Sequence, residues 1–593
     1  MKAQRFSKWI MLLNLSLIFS LMELFIVNQV FAYSPPIGIP SPTFGIEQQH
    51  TDYSGNTFVA GGFIYKDAGT GPYSHYIDNS SSSCTDTSNA YGTEETPRCT
   101  IPITIPAGSV VELHGGPYSS LTLDGCTGTI SAPIYIRGFN DTNKITFSNI
   151  GADNSAIRII NSSYIIIENI ITDGGALTGA SPSNGISIRS PADHISVRES
   201  ECKNYPIPDF CVDAACWNSA LWSVGAGVDG ATGNVTSNIV FYNNFIHNNA
   251  AETWPPPYET GRHGVMVLSG AEYVWVLGNK IDHSGDDGVQ VYWKSTGVNG
   301  PPAHHVYIGN NLVDHMGENA FDIKQSYDVV ISQNKIWGFQ ATTQLGAGSD
   351  GAAIVLNNDD PSDRLWVLYN EIFDSNIGIR TQAHGAVYII GNVIYDIIRA
   401  VGAVVPTSST GSTSGCGITA ASSPNLNIIN NTIDQVDGGI YIIAVTGATY
   451  NISNNIVSNL NETLSYVVAY NVSTPMLSIA TNLFYSLNGN TALKKVTCTG
   501  CIIGKNPLFI DKPNRDYRLG ATSPAFGSGL INSTYPVFFT TYNLPLMYSN
   551  LGIAQYFSSG VVVNTPMDIG SCHNLTVVST FEAPRYKDVH IIR

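Results

Sequence analysis

Three consecutive stretches decide the fold: His263-GVMVLSGAEYVWVLGNKIDHSG, Asp287-GVQVYWKSTGVNGPPAHHVYIGNNLVDHMG and Asn319-AFDIKQSYDVVISQNKIWG. Each opens on a turn with a Gly or Ala. Each then runs through a short strand of period two, a turn, a second β-branched strand, and Asn-x-Ile or a variant of it. The pattern returns 24 residues after His263, at Asp287, and later where a loop is inserted. It extends back to Ser155-AIRIINSSYIIIENIITDGG and Asn184-GISIRSPADHISVRESECKN. It extends forward to Ile377-GIRTQAHGAVYIIGNVIYD, Gly417-ITAASSPNLNIINNTIDQ and Gly439-IYIIAVTGATYNISNNIVSN. A period of this length marks a solenoid. The physical solution is a parallel β-helix: short strands joined by bends, each paired with its equivalent on the next turn ~4.8 Å away. Alternate side chains fill a narrow core, which requires Val, Ile and Ala. Leucine-rich repeats are the competing solenoid, but their LxxLxL pattern is absent.

The recurrent Asn is expected to form a ladder of paired amides along the axis. Asn169, Asn244, Asn279, Asn311, Asn334, Asn370, Asn392, Asn431 and Asn455 are placed in that column, with a structural role. The expected fold class is all-β, a solenoid of about ten turns with a cap at each end.

Composition agrees. Of 593 residues only 12% are charged and 43% are hydrophobic, which excludes both a disordered chain and a helix-rich one. Lys+Arg 28 against Asp+Glu 45 gives a net charge of −17. That balance argues against a nucleic-acid partner and permits metal binding by carboxylates. The N-terminus reads as an export signal: Lys2, Arg5 and Lys8, an apolar run from Trp9 to Val27, then Val30-Phe31-Ala32 as a small-residue cleavage site. An uncleaved anchor is the alternative, although Asn14 and Glu23 interrupt the run. All ten cysteines follow this segment, so disulfides are expected. Cys84 and Cys99, and Cys202, Cys211 and Cys216, are close enough in sequence to pair locally. Cys498-Thr-Gly-Cys501 reads as a local staple rather than a redox or zinc motif, since no second CxxC accompanies it. Several Asn-x-Ser/Thr sequons matter only if the source glycosylates.

On these motifs the chain resembles the right-handed parallel β-helix proteins of the pectate-lyase-like superfamily, from about Asn79 to Cys572. Asn506-PLFIDKPNRDYRLGATSPAFGSG is similar to their terminal segment, and Met567-Asp568-Ile569-Gly570 to their final strand. Tyr76-Ile-Asp-Asn with Thr100-IPITIPAGSVVELHGGPY is similar to their N-terminal cap. The resemblance implies fold and not activity. The expected organisation is a signal peptide over 1–32 and an N-terminal cap with first turns over 33–150. A central β-helix with inserted loops follows over 151–490, then final turns, cap and tail over 491–593.

Ionisable residues concentrate between Arg262 and Lys324. Alignment of successive turns puts Val265/Val267, Val289/Val291, Phe321/Ile323 and Ala353/Val355 inward. Met266/Leu268, Gln290/Tyr292, Asp322/Lys324 and Ile354/Leu356 then face out. The preceding turn column holds Arg262-His263, Asp286-Asp287, Glu318-Asn319 and Asp350-Gly351. Asp286, Asp287, Glu318 and Asp322 are therefore expected to share one face and to offer oxygens to calcium. The bland alternative is a solvated turn face rich in Asp.

A cation there would neutralise the carboxylate of a uronic-acid polymer, and a base beside it would remove the adjacent C5 proton, which is β-elimination. Lys324 is the candidate base, with Arg262 and His263 as further catalytic candidates. Arg262 is expected either to hold a substrate carboxylate or to pair with Asp286 or Asp287. For Lys324 the bland alternative is a surface ion pair with Asp322. Tyr292 and Gln290, and Trp254 and Tyr258 on the inserted loop 250–261, are the sugar-contact candidates. The loop 206–222, with Trp217 and Trp222, is a second wall candidate; loop packing on the solenoid is the alternative for each Trp.

Ser284-GDDGVQVYW followed by Gly317-ENAFDIK resembles the family-nine calcium-dependent pectate lyases. There a GDDG-like turn supplies calcium ligands and a lysine one turn later is the base. The match is partial: in that family the lysine directly follows a Gly-Phe pair, whereas here Asp322 takes that place and Lys324 comes two residues later. Gly285-Asp286-Asp287 also looks like the GDD turn of polygalacturonases, but the Gly-His-Gly of that family is missing. A glycoside hydrolase and a non-catalytic carbohydrate-binding or structural rod are thus the two alternatives to a polysaccharide lyase. His283 and His315 share a column and are read as a repeat-derived stack. Asn357–Arg364 is a further acidic loop, either a second calcium site or a turn. The expected partner is an acidic polysaccharide bound by a monomer, with no nucleic acid and, after leader removal, no membrane. The expected location is secreted, in the extracellular space, the periplasm or at the cell surface.

Overall fold

The computed structural model describes residues 33, 35–48, 73–139, 144–148, 155–175, 184–205, 219–225, 235–249, 262–292, 301–341, 350–357, 362–383, 385–399, 414–421, 423–443, 445, 447–460, 468–470, 477–487, 493 and 496–529. Residues 1–32, where a leader is expected, the segments bearing Trp254, Tyr258 and Trp217, most of the acidic stretch after Asn357, and Met567–Gly570 lie outside them. All the elements named below fall within one compact unit, Pro35–Arg593.

Three parallel sheets make the body. Among the described residues one has 15 strands, one 13 and one 12. A turn visits each in order. Arg262–Leu268 lies in the 12-stranded sheet, Ala271–Leu277 in the 15-stranded sheet and Lys280–Asp282 in the 13-stranded sheet. Val289–Tyr292, Ala303–Gly309 and Leu312–Asp314 repeat the cycle. The fold is a right-handed parallel β-helix, with twelve rungs in the shortest of its three sheets rather than the expected ten or so turns.

The inward residues are those that the alternation selects. Val265, Val267, Val289, Val291, Phe321 and Ile323 all join one core running the length of the helix. Each fully buried aliphatic side chain contributes about 1.5–3 kcal/mol. The register assigned at Ala352–Leu356 requires correction. Phe321 pairs with Ile354 and Asp322 with Val355, so Ile354 and Leu356 point inward and Val355 outward. One extra residue precedes this strand, and with a side-chain period of two a single-residue slip exchanges the faces.

The Asn ladder forms at the bend into the 13-stranded sheet. From Asn244 through Asn279, Asn311, Asn334, Asn370, Asn392, Asn431 and Asn455 to Asn482, each side-chain oxygen accepts from the backbone N–H of the preceding member at 2.9–3.0 Å. Asn482 belongs to the column and Asn169 does not. The register places Ile170 and Ser200 at the ladder position, and Ser200 N–H donates to Asn244 Oδ1 at 2.9 Å. Asn169 is one residue earlier, in a left-handed column (φ 55°) that also holds Glu199, Asn243, Asn310, Asn430 and Asn454. Asn tolerates that conformation through its short polar side chain, which is why both columns are Asn-rich and easily confused in sequence.

Residues 35–48 form a strap that the sequence did not announce. They lie along the outside of the 15-stranded sheet, over an outward column of Val240, Trp275, Tyr307, Val330 and Trp366, all buried. Trp275 Nε1 donates to the Pro40 carbonyl at 2.8 Å, Ser196 Oγ donates to that of Gly45 at 2.8 Å, and Gln333 Oε1 accepts from Ile37 N–H at 2.8 Å. At the other end, Phe509–Asp511 and Asp516–Leu519 form an antiparallel hairpin. Its Tyr517 packs on Tyr395 at 5.4 Å, extending a stack of Trp337, Phe373 and Tyr395. Cys84–Cys99 is a disulfide and Cys498 and Cys501 are paired. Cys202 carries a free, buried thiol, and its expected partners lie outside the described residues.

Candidate metal and sugar site

The acidic turns sit at the entry to the 12-stranded sheet. Gly264 N–H donates to the Asp287 carbonyl and Gly288 N–H to that of Asn319, each at 2.9 Å. His263, Asp287 and Asn319 therefore occupy one position on three turns, and Arg262, Asp286 and Glu318 the position before it. Close approach of these turns demands glycine at 317, where a Cβ would lie 2.2 Å from the Gly285 carbonyl oxygen.

The geometry is dense. One Asp287 oxygen accepts from Gln290 Nε2 at 2.9 Å and lies 3.2 Å from His263 Nδ1. Its other oxygen accepts from the Asn319 backbone N–H at 3.2 Å. His263 Nε2 is 3.6 Å from Asp286. Asp322 meets Lys324 Nζ at 2.5 Å, and Nζ stands 5.9 Å from the centre of the Tyr292 ring. Asp287, Glu318 and Asp322 each place one carboxylate oxygen within 4.8 Å of the others. Asp287 is fully buried, and Asp286, Asp322 and His263 nearly so. One oxygen of Asp286 and one of Asp322 are buried without a hydrogen-bond partner among the described residues.

Charges crowded out of water disturb one another. Burial, then the Asp322 charge, lifts the Asp287 carboxyl to about 7, although His263 partly offsets them. Burial and the charges of Asp287 and Asp286 push Glu318 well above the usual carboxylate range. Burial alone would lower His263 and Lys324. For His263 it is outweighed by Asp286 and Asp287, and for Lys324 by Asp322, Asp287 and Glu318, so both are held protonated more firmly than usual.

The donor set suits a hard divalent cation. It consists of carboxylate oxygens, and two ligands of one calcium ion stand at most about 4.6–5.2 Å apart, a span that oxygens lying within 4.8 Å of one another can meet. Four carboxylates faced by one histidine and one lysine leave an excess of negative charge that a divalent ion would balance. Asp287, Glu318 and Asp322 thus fit calcium, and Asp286 stands beside them in a group with His263 and Asp287.

The sequence candidates divide. Asp286, Asp287, Glu318, Asp322, His263 and Lys324 come together. Arg262 does not join them: it is fully buried, and burial pushes its guanidinium down to about 10 with Tyr205 and Cys202 as its electrostatic neighbours. It is enclosed in the body of the helix and is not placed to clamp an incoming polymer. Gln290 is 5% exposed and its amide is turned to Asp287, so it orients a carboxylate and does not contact sugar. Tyr292, half-buried beside Lys324, keeps an outward place. Trp254 and Tyr258 lie outside the described residues. Trp222 is on neither a loop nor a cleft wall: it lies in the strand Ser219–Gly225, paired with Val265, and is fully buried in the core of the helix against Phe241 at 5.6 Å. Asn319 was missed. Its amide donates to the Ala352 carbonyl at 2.6 Å while its backbone holds Asp287, and its place in the His263–Asp287 column was the available signal. His283 and His315 stack at 5.2 Å with rings 7° apart, each against its own neighbour, Asp282 or Asp314.

Residues 218–360, which span this site, match the family model described as "Right handed beta helix region". Solved structures share the fold at low identity. An alginate lyase from Paenibacillus sp. str. FPU-7 is 14% identical, with 49% of this chain and 87% of that chain covered and a TM-score of 0.32. The pectate lyase Pel9A is 14% identical, with 77% and 92% covered and a TM-score of 0.34. A GH136 lacto-N-biosidase from Eubacterium ramulus is 12% identical, with 72% and 67% covered and a TM-score of 0.36. These are likenesses of architecture. No curated protein sequence matches the chain.

Proposed function

We propose that the protein is an exported, calcium-dependent polysaccharide lyase that cleaves a uronic-acid polymer by β-elimination. The observation that carries this reading is the convergence of Asp287, Glu318 and Asp322 within 4.8 Å, with Lys324 against Asp322 on the same face. Asp287, Glu318 and Asp322 would hold the ion, with Asp286 beside them. When bound, calcium would neutralise the substrate carboxylate and acidify the C5 proton beside it.

The chain's own groups supply the rest. Lys324 is the base candidate because its side chain is 21% exposed, whereas His263 is enclosed behind Asp286 and Asp287. Removal of the C5 proton forms the C4–C5 double bond as the C4–O bond breaks, and the leaving oxygen takes a proton from water. For Lys324 to accept the proton it must first give up its own, so the grip of Asp322 has to be relaxed by the ligand. His263, Gln290 and Asn319 orient Asp287 and keep its lone pairs aimed. Tyr292 supplies an apolar ring face beside Nζ for a sugar to lie on. The Cys84–Cys99 disulfide agrees with an oxidising, extracytoplasmic location.

An inverting hydrolase needs its two carboxyl groups ≈ 6.5–9.5 Å apart to admit a water between them. The tight packing of Asp287, Glu318 and Asp322 disfavours that alternative. The test is the ultraviolet absorbance of unsaturated uronate ends, with mature protein on a panel of uronic-acid polysaccharides, in calcium and in chelator. A calcium-dependent rise is expected. New reducing ends without absorbance would mean hydrolysis. Neither signal on the whole panel would leave a binding or structural rod.

A further inference from the structure

We propose that the cavity between the C-terminal hairpin and the outer face of the 13-stranded sheet is a second, non-catalytic site that holds one uronate residue of the polymer. This deepens the uronic-acid reading of the substrate and rests on it. The cavity has a volume of about 290 Å³. Tyr395, Asp396 and Gln435 of the sheet and Lys512, Arg515 and Tyr517 of the hairpin line it. That is the small end of the range for ligand sites, roughly 300–1,000 Å³, so it takes a single sugar residue rather than a length of chain. Asp396 and Gln435 occupy equivalent left-handed positions on consecutive turns, φ 52° each, and Gln435 Nε2 donates to Asp396 at 3.0 Å. The hairpin is fixed to the sheet by the packing of Tyr517 on Tyr395 and by Asp434, which is fully buried and 2.8 Å from Lys512 Nζ. The acidic turns lie at a different sheet, so the two sites share no residue.

The charges lining the cavity are held in position but not paired with each other. Arg515 is exposed at its rim. Its guanidinium carbon stands 4.6 Å from the centre of the Phe373 ring and 5.0 Å from that of Tyr395. Those two ring faces hold the cation. The backbone beneath it is fixed as well, in a left-handed conformation (φ 63°) with its N–H donating to the Lys512 carbonyl at 2.8 Å. Among the described residues the guanidinium makes no hydrogen bond or ion pair. Asp396 lines the same space. Burial pushes its carboxyl up, and Arg515 is the first charge to offset that, yet no ion pair joins them. The cavity therefore offers a positioned fork of donors and, apart from it, a carboxylate acceptor, with room between them. A uronate residue presents the complement of both. Its carboxylate suits the guanidinium, and its hydroxyls can donate to Asp396.

The experiment uses the full mature chain as wild type, Arg515→Asn and Arg515→Lys. Asn is chosen because it keeps a left-handed backbone without strain. The probes are short oligomers of galacturonate and of mannuronate, each with its carboxyl-reduced counterpart. They are titrated by calorimetry in chelator, so that binding is read without turnover. Arg515→Asn is expected to weaken binding of the acidic oligomers about tenfold, since a charge-assisted contact is lost. Arg515→Lys should fall between, because lysine keeps the charge but not the planar fork. The reduced oligomers should bind all three proteins equally, and wild type more weakly than the acidic ones do. Equal binding of the acidic oligomers by wild type and Arg515→Asn overturns the proposal, and so does no binding by wild type. An equal weakening for acidic and reduced oligomers overturns it too, and would mark Arg515 as packing for the hairpin. Unsaturated ends are followed separately in calcium. If wild type makes none, the lyase reading fails, and the calorimetry still decides this site: acid-selective binding that is weakened in Arg515→Asn upholds it.

Discussion

Two columns of buried polar side chains run along the same solenoid and are built on opposite electrostatic principles. At the bend into the 13-stranded sheet the Asn ladder is neutral and closed. Asn334 Oδ1 accepts from the backbone and amide of Asn311, and its own amide donates to Ile308 and Asn370. At the entry to the 12-stranded sheet two successive turns carry Asp286, Asp287, Glu318 and Asp322, with carboxylate oxygens left over. Buried polar groups are ordinarily satisfied, so the ladder explains itself and the acidic cluster asks for something from outside. A repeating fold makes this contrast legible, because every position has equivalents one turn away that show what a purely structural residue looks like there.

The largest effect should come from the open column. Lys324→Ala is expected to lower kcat about 10³-fold, within the 10²–10⁴ typical of general-base loss, with the circular dichroism spectrum unchanged. An activity within tenfold of wild type would remove Lys324 from the mechanism. The closed column answers in stability instead. Asn334→Ala leaves Asn311 N–H and the Ile308 carbonyl without partners and should cost about 3 kcal/mol, read from the urea midpoint, with residual turnover in the folded fraction.

The sharpest contrast is a substitution of similar size with the opposite sign. Glu318→Gln removes a buried carboxyl whose ionised form burial and its acidic neighbours oppose, so in chelator it should stabilise the protein by about 1 kcal/mol. It should also abolish the calcium-induced rise in melting temperature, which for wild type at a hundredfold excess over Kd corresponds to about 2.7 kcal/mol. A destabilised Glu318→Gln in chelator would show that the cluster is self-sufficient after all. A last effect lies away from both columns. Although burial opposes its charge, Glu201 is held at about 2, against 4.5 ordinarily, by His247 and Lys203. A lowered folded value stabilises above pH 4.5, and that contribution fades as pH falls towards 2. The stability gap between wild type and Glu201→Gln should therefore be open at pH 7 and closed near pH 2.

The core and the ladder were readable in advance because both rest on strict local spacing. Val265, Val289 and Phe321 could be aligned by eye, and the acidic turns fell into register with them. The errors came where one residue changes everything. Asn169 neighbours the ladder column, and a left-handed bend residue and a ladder residue are both well served by Asn. Ala352–Leu356 carries an extra residue before it, which reverses its faces. Arg262 shared a column with Asp286 and Glu318, yet its long side chain was free to turn into the body of the helix. Gln290 kept its predicted column but turned its amide to Asp287, a choice made by one hydrogen bond.

The sequence by itself determined a solenoid of β-strands, the amide ladder and the gathering of four carboxylates with a histidine and a lysine on adjacent turns. Those follow from period and alternation, which are properties of the chain at short range. The tertiary structure alone decided that the segment 35–48 straps the apolar outer face of the 15-stranded sheet. It also decided that Arg262 is enclosed while Lys324 remains reachable. These depend on contacts between residues far apart in sequence and on the direction in which long side chains leave the backbone, and neither is encoded in a local period.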